Sequence, residues 1–258
     1  MRRAQWLDAS GRSKAAFDYF DRICRQLQRS EAPPPVVAWC LTQLGAVEHA
    51  RRGPDAAAAV WTRALAVQPG YRGAVEGLAS LAQAGGDLRR AEELYARIAA
   101  DAHPDLYLRL SEIVAARGGS DAVRAADYER RFLAVAGAPA NEALYGELLA
   151  LYYAEQDAPA ARDTALALAR RDVARRPTIE SYDVLSWVRF RRHELVEALA
   201  ASDSARRWGT PSPTMDWHRG RILAALGRDG EATPLLQAAA ARRTLLAPHA
   251  RRDLDRGR

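Results

Sequence analysis

The chain has 258 residues, of which 48% are hydrophobic and 27% charged, and its formal net charge is +6. This composition is close to that of ordinary soluble proteins. Since no window reaches about 18 uninterrupted apolar residues and the charged N-terminus has no apolar core, we expect neither a membrane span nor an export signal, and we predict a cytoplasmic location.

The positive charge is concentrated at the two ends of the chain. Residues 1–30 and residues 242–258 each carry a net charge of +4, whereas residues 31–241 carry −2. Phosphate binding favours a continuous positive track, so this distribution disfavours nucleic acid as the partner. Lys14 is the only lysine, and no P-loop of the form G-x-x-x-x-G-K-[ST] is present. We attribute the excess of arginine and alanine to coding composition of a bacterial type.

The first predicted elements are a helical half-unit, residues 1–34, and a pair of helices that follows it. A run of prolines ends the half-unit. Between Pro35 and Pro69 the apolar residues predict two helices separated by a Gly-Pro-Asp break. In the second helix, Ala57 and Trp61 recur on one face, and the aromatic ring is expected to fill the space between this pair and the next.

Alanines recur along the chain at a nearly constant interval. Most intervals are 34 residues, and two are 36 and 37 residues. A fixed period of this length predicts a stack of helix-turn-helix units and argues against a globular enzyme. The members of the series are Ala57, Ala91, Ala125, Ala161, Ala198 and Ala232.

The pattern resembles the tetratricopeptide repeat, whose signature is W-x2-L-G-x2-Y…A-x3-F…P. The resemblance implies a right-handed α-solenoid of antiparallel helix pairs, with about six repeats in residues 35–241 after the partial unit. It covers 1–258 as a single solenoid, in which 242–258 form a basic capping helix or tail. The matching residues of the first full repeat are Leu41, Leu44, Gly45, Ala57, Trp61, Ala64 and Pro69.

The resemblance also implies a function and a site. Proteins of this family are interaction scaffolds or adaptors, and their concave surface is lined mainly by the first helix of each repeat. We therefore expect a protein or peptide partner and neither enzymatic activity nor a cofactor. Aromatic and arginine side chains are typical of binding hot spots. Those at the inner positions of the C-terminal repeats are Tyr153, Trp187, Phe190, Arg191, Trp217 and Arg221.

An alternative for two of these residues remains open: Trp187 and Trp217 pack against each other and Trp208 in the core. Catalytic and metal sites are not predicted. The closest approach to a ligand pair is His193 with Glu197, four residues apart, and a third ligand is missing. We interpret this pair as solvent-exposed.

Cys24 and Cys40 fall on successive predicted helices. We favour two buried free thiols, because buried cysteine is common, and a disulfide is the alternative.

Two further functions stay open. One is nucleic-acid binding through arginine clusters, and the other is self-association, with a homo-oligomer as its product, through a terminal apolar face. The arginines are Arg170, Arg171, Arg175, Arg176, Arg189, Arg191 and Arg192, and the apolar face is Leu235, Leu236, Leu245 and Leu246.

Overall fold

The computed structural model describes residues 10–99, 103–118 and 121–256. Contacts within the chain divide it into two compact units, Met1–Phe132 and Leu133–Arg258, and each is considered by itself. The prediction of one continuous solenoid stays a prediction. The first nine residues of the predicted half-unit and the last two residues of the predicted tail lie outside the described residues.

The first unit is made of α-helices joined by short turns. The second and third helices pack as a pair, as do the fourth and fifth. The sixth and seventh are joined by a hydrogen bond from the Ser111 hydroxyl to the Ala125 carbonyl, 3.0 Å long. The helices are α1 (Ser13–Arg29), α2 (Pro34–Arg52), α3 (Pro54–Val67), α4 (Arg72–Gly85), α5 (Leu88–Ile98), α6 (Pro104–Arg117) and α7 (Ala122–Ala136), which crosses the boundary between the units.

Glycines end the first helix of each of two pairs. Gly53 follows α2 with φ of +93°, and Gly86 follows α4 with φ of +87°. These backbone angles favour glycine because it lacks a Cβ atom. Asp87 then begins α5, since its carboxylate accepts a hydrogen bond of 3.0 Å from the Arg90 amide. The Gly-Pro-Asp break predicted after the first helix of the first full repeat is confirmed at Gly53.

Trp61 fills the space between two successive helix pairs, as predicted. Its ring lies against Gly45 of α2 and Gly77 of α4. A Cβ atom at Gly77 would come within 2.6 Å of the ring, so both helices approach closely only because these residues lack side chains. The indole Nε1 of Trp61 donates to the Thr42 carbonyl at 3.1 Å, which satisfies its polar atom.

Cys24 of α1 and Cys40 of α2 form a disulfide. The favoured interpretation of two free thiols is wrong, because the packing of α1 on α2 brings the Cα atoms to 5.6 Å, a usual separation for a disulfide. Both residues are buried beside Phe20. The disulfide therefore tethers α1 to the rest of the unit.

Within the second unit, the eighth helix packs with the ninth, the tenth with the eleventh and the twelfth with the thirteenth. Its last helix packs on the twelfth, where Leu246, Ala250 and Leu254 surround Trp217. Leu246 is thus buried within the chain, which covers part of the apolar face considered for self-association. The helices are α8 (Glu142–Ala154), α9 (Pro159–Arg175), α10 (Ile179–Arg191), α11 (Leu195–Ala205), α12 (Pro213–Ala225), α13 (Asp229–Ala241) and α14 (Pro248–Arg256).

Across the described ranges, none of the helices combines the length and apolar character needed to cross a bilayer.

Two carboxyl groups meet between α8 and α9. Burial, and then a hydrogen bond with the buried Asp172, raises the pKa of Glu147 to about 7. Arg176 opposes this shift and donates to Asp172 at 3.0 Å, whereas Glu180 of α10 adds to the shift. Glu147 therefore keeps its proton to a higher pH than an exposed glutamate does, since two adjacent carboxylates repel each other.

We predict that reduction of the disulfide lowers the free energy of unfolding. Opening a loop of this length increases the entropy of the unfolded chain and costs about 3 kcal/mol. Urea unfolding of the wild type with and without dithiothreitol measures the effect. The variant Cys24→Ala/Cys40→Ala is the control and should not respond to the reductant. Equal midpoints for the wild type in both conditions would show that the thiols are free.

We predict that the wild type becomes less stable as pH rises and that Glu147→Gln removes this loss of stability. The folded-state pKa of Glu147, about 7, lies above the ordinary value of 4.5 for a glutamate. The folded state therefore binds more protons than the unfolded state between these values, and wild-type stability falls as pH increases through this window. Gln donates to Asp172 at every pH.

Urea unfolding across this pH window tests the prediction. The variant should become more stable than the wild type as pH rises towards 8. Glu93→Gln changes a carboxylate in an exposed ion pair with Arg90 and serves as the control. A difference between Glu147→Gln and wild type that does not change with pH contradicts the prediction.

Candidate partner-binding site

Trp187 is at the centre of a buried stack of rings in the second unit. Its ring lies 5.0 Å from Phe190 in the same helix and 4.4 Å from His218 of α12, both in stacked arrangements. His249 of α14 lies 5.7 Å away. Helices α10, α12 and α14 thus contribute to one aromatic cluster, which accounts for the complete burial of Trp187.

Glu155, just after α8, anchors this cluster on one side. Its Oε1 atom accepts a hydrogen bond of 2.9 Å from the Trp187 indole and lies 3.9 Å from the Arg191 guanidinium. Arg191 also donates to the Ala154 carbonyl at 3.3 Å. One carboxylate therefore satisfies a buried indole and pairs with a cation, as a buried polar group requires.

Asp253 of α14 makes equivalent contacts on the other side of the aromatic cluster. Its Oδ2 atom accepts from the Trp217 indole at 2.9 Å and from Arg221 at 2.6 Å. The Arg221 guanidinium also lies 5.9 Å from the Phe190 ring and 5.8 Å from the Trp217 ring. Arg221 is therefore held by one charge and two aromatic faces.

A buried polar chain joins the same three helices. His218 Nδ1 lies 3.0 Å from the Asp183 carboxylate and donates a hydrogen bond to it. The Nε2 atoms of His218 and His249 are 2.8 Å apart, so one donates to the other. All three residues are buried, so a substrate cannot reach this hydrogen-bonded chain of side chains. We interpret its role as structural, because it joins α10, α12 and α14.

Reasoning from the sequence missed this chain of residues. The partners of His218 lie 35 and 31 residues away in the sequence. Those separations are close to one repeat. The available signal was therefore the repeat itself, which brings residues about one period apart into contact.

The structure brings five of the six predicted site residues into this network. Trp187 and Trp217 are both buried, each with its own carboxylate partner. The alternative placed Trp208 in the core beside them. That part of the alternative is wrong, because Trp208 is 73% exposed. Phe190 is half-buried, and the side chains of Arg191 and Arg221 are 17% and 33% exposed.

Tyr153, the sixth predicted residue, lies in the last turn of α8. It is half-buried and makes an edge-to-face contact with Tyr152, with ring centroids 5.1 Å apart. Its next residue in sequence, Ala154, is the one whose carbonyl accepts from Arg191. Tyr153 is thus beside the network through the backbone of α8.

Several arginines considered for nucleic-acid binding are paired with carboxylates. Arg171 and Arg175 both approach Glu142, at 3.1 Å and 3.6 Å. Arg192 pairs with Glu194 at 2.7 Å. A partly neutralised cluster provides weaker attraction for phosphates than free cations would.

His193 and Glu197 do not share a helical face. His193 is in the turn before α11 with φ of +62°, whereas Glu197 is in the first turn of that helix. Both residues are exposed. In the part of the chain that the structure describes, no group of three or more His, Cys, Asp or Glu residues is arranged to hold a metal ion.

Comparisons with known proteins add evidence on the fold. No protein-family model matches this sequence, and no curated protein matches it. A tetratricopeptide repeat protein from Parabacteroides merdae has a similar structure, with a TM-score of 0.50 and 15% identity over 93% of this chain and 91% of that chain.

Structures of IFIT1 are also similar. The human IFIT1 dimer with PPP-AAAA has a TM-score of 0.54 and 15% identity over 92% of this chain. A monomeric IFIT1 mutant with Gppp-AAAA has a TM-score of 0.55 and 14% identity over 96% of this chain. This chain spans 58% and 59% of the length of those two chains.

These likenesses, the 34-residue period and the consecutive helix pairs agree with one another. The chain has the tetratricopeptide repeat fold, an all-α solenoid of antiparallel helix pairs.

Proposed function

We propose that this protein is a non-enzymatic interaction scaffold that binds a segment of another protein on its C-terminal unit. The proposed contact surface is a patch of four residues, hereafter the α10 patch. In the family that the chain resembles, this would be part of the concave surface. The patch consists of Tyr153, Phe190, Arg191 and Arg221.

The observation that carries this proposal is the rigid support beneath a partly exposed surface. Phe190 lies on the buried Trp187, and Arg221 is held between Asp253 and two rings. Arg191 is held by Glu155 and a backbone carbonyl. Because these side chains are already ordered, a partner would lose little conformational entropy in binding to them.

The α10 patch suits a segment that carries an apolar side chain and an acidic one. Phe190 provides an apolar face, and the two arginines have further N–H donors beyond those bound to Glu155 and Asp253. A carboxylate on the partner would accept from these donors in a partly desolvated setting. The buried tryptophans would act as the support of the patch and make no direct contact with the partner.

Binding of nucleic acid is the competing function. The IFIT1 structures similar to this chain contain PPP-AAAA or Gppp-AAAA, which is a property of those proteins. In this chain the negative balance of residues 31–241 and the pairing of Arg171, Arg175 and Arg192 argue against a phosphate track. We therefore favour a protein partner.

We predict that Phe190→Ala/Arg191→Gln reduces partner capture by about tenfold or more, since loss of a hot-spot contact has this effect. Affinity capture from a lysate of the source cells, with quantitative mass spectrometry, compares the variant with the wild type. Leu144→Ala is the control, because Leu144 is 70% exposed in the same unit. It should capture the same proteins as the wild type.

Circular dichroism must show that both variants remain helical. Equal capture by the wild type and the double variant would refute the α10 patch. Recovery of nucleic acid that depends on Phe190 and Arg191, with no protein, would replace the proposal with the competing one.

We predict that Trp187→Ala lowers the free energy of unfolding by about 3–5 kcal/mol, because it leaves a cavity in a packed core and removes the partner of Glu155. Phe190→Ala should cost clearly less, since that side chain is half-buried. Urea unfolding measures both. Similar small losses for the two variants would mean that Trp187 does not support the patch.

A further inference from the structure

A second surface of the C-terminal unit has the features of a contact site. Trp208 lies in the turn between α11 and α12 and is 73% exposed. Within the described ranges it is the one exposed residue among the phenylalanines, tryptophans and tyrosines. Burial of a Trp side chain contributes strongly to binding, whereas its exposure to water is unfavourable.

Arg207, the residue before Trp208, makes three contacts near the exposed ring. The Arg207 guanidinium lies 5.4 Å from the Trp208 ring and 5.7 Å from the Tyr182 ring of α10. It also donates to the Pro177 carbonyl at 3.0 Å. These contacts join the turn before α10 to the turn before α12. We call Tyr182, Arg207 and Trp208 the Trp208 ledge.

The Trp208 ledge is separate from the α10 patch. Tyr182 and Phe190 are eight residues apart in α10, which corresponds to about 12 Å along the helix axis. Each surface is supported by different contacts, since Arg207 and Pro177 take no part in the network around Glu155 and Asp253.

The charge at the ledge indicates what it binds. Among described residues, Arg207 pairs with no carboxylate, and its hydrogen bond goes to a carbonyl oxygen. The adjacent Arg206 pairs with Asp216, and Arg176 donates to Asp172. The ledge therefore offers one unneutralised cation beside one exposed ring, and its guanidinium has donors left for an acceptor.

We propose that the Trp208 ledge binds an acidic peptide segment of a partner protein. A proline or aromatic ring of the segment lies on the open face of Trp208, and a carboxylate next to it accepts hydrogen bonds from Arg207. Single-stranded nucleic acid fits less well. Its backbone needs a row of cations, and the neighbouring arginines are already paired.

Selection from a phage library of random peptides on the immobilised full chain tests this proposal. The expected peptides carry Asp or Glu beside a proline or an aromatic residue. Their affinity should fall about tenfold or more in Trp208→Ala and in Arg207→Gln, measured by fluorescence polarisation. Affinity should be unchanged in Val196→Ala, an exposed apolar control in α11, whereas a peptide whose affinity falls in Phe190→Ala is bound by the α10 patch instead.

Three results would overturn the proposal. One is the selection of no peptide, and another is peptides that bind Trp208→Ala as tightly as the wild type. The third is binding of oligouridylate that depends on Trp208 where no acidic peptide binds. Because Phe190→Ala is measured in parallel, failure of the ledge and failure of the α10 patch are distinguishable.

Discussion

Close packing of a large aromatic ring between successive helix pairs is the interaction on which the rest of this structure depends. A single helix pair cannot bury its own apolar face, so each pair needs a neighbour. In the first unit, Trp61 enters the space between α2 and α4, where Gly45 and Gly77 leave room for it. The ring requires both glycines, because side chains at those positions would collide with it.

In the second unit, the aromatic rings of the core carry polar atoms that need hydrogen-bond partners. Trp187 and Trp217 each bury an indole N–H, and an unpaired buried donor would be costly. Glu155 and Asp253 accept hydrogen bonds from these two N–H groups. The same carboxylates hold Arg191 and Arg221 at the edge of the core. Satisfying the core therefore also orders the arginines that we propose for binding.

The distribution of charge links packing to function. The chain has many more arginines than lysines, and paired arginines lie on several of its helices. Pairing reduces the attraction of the chain for phosphate, while the planar guanidinium keeps further donors for a directed contact. Arg207 differs, because its contacts are two rings and a carbonyl oxygen. The proposed contacts therefore fall on two surfaces, the α10 patch, whose side chains rest on the core, and the exposed Trp208 ledge.

The sequence by itself determined the helix pairs and their turns. Period, helical faces and residues such as Gly53 and Gly86 act over short distances, so they can be read along the chain. The repeat register also predicted six site residues on neighbouring first helices, and four of them form the proposed α10 patch.

Only the tertiary structure decided which of those residues are core and which are surface. Burial of Trp187, exposure of Trp208 and the disulfide of Cys24 with Cys40 all depend on how neighbouring helices meet. The contact between His218 and Asp183 joins residues one repeat apart. A period indicates that such residues approach each other, but which side chains touch is set by the packing of helix on helix.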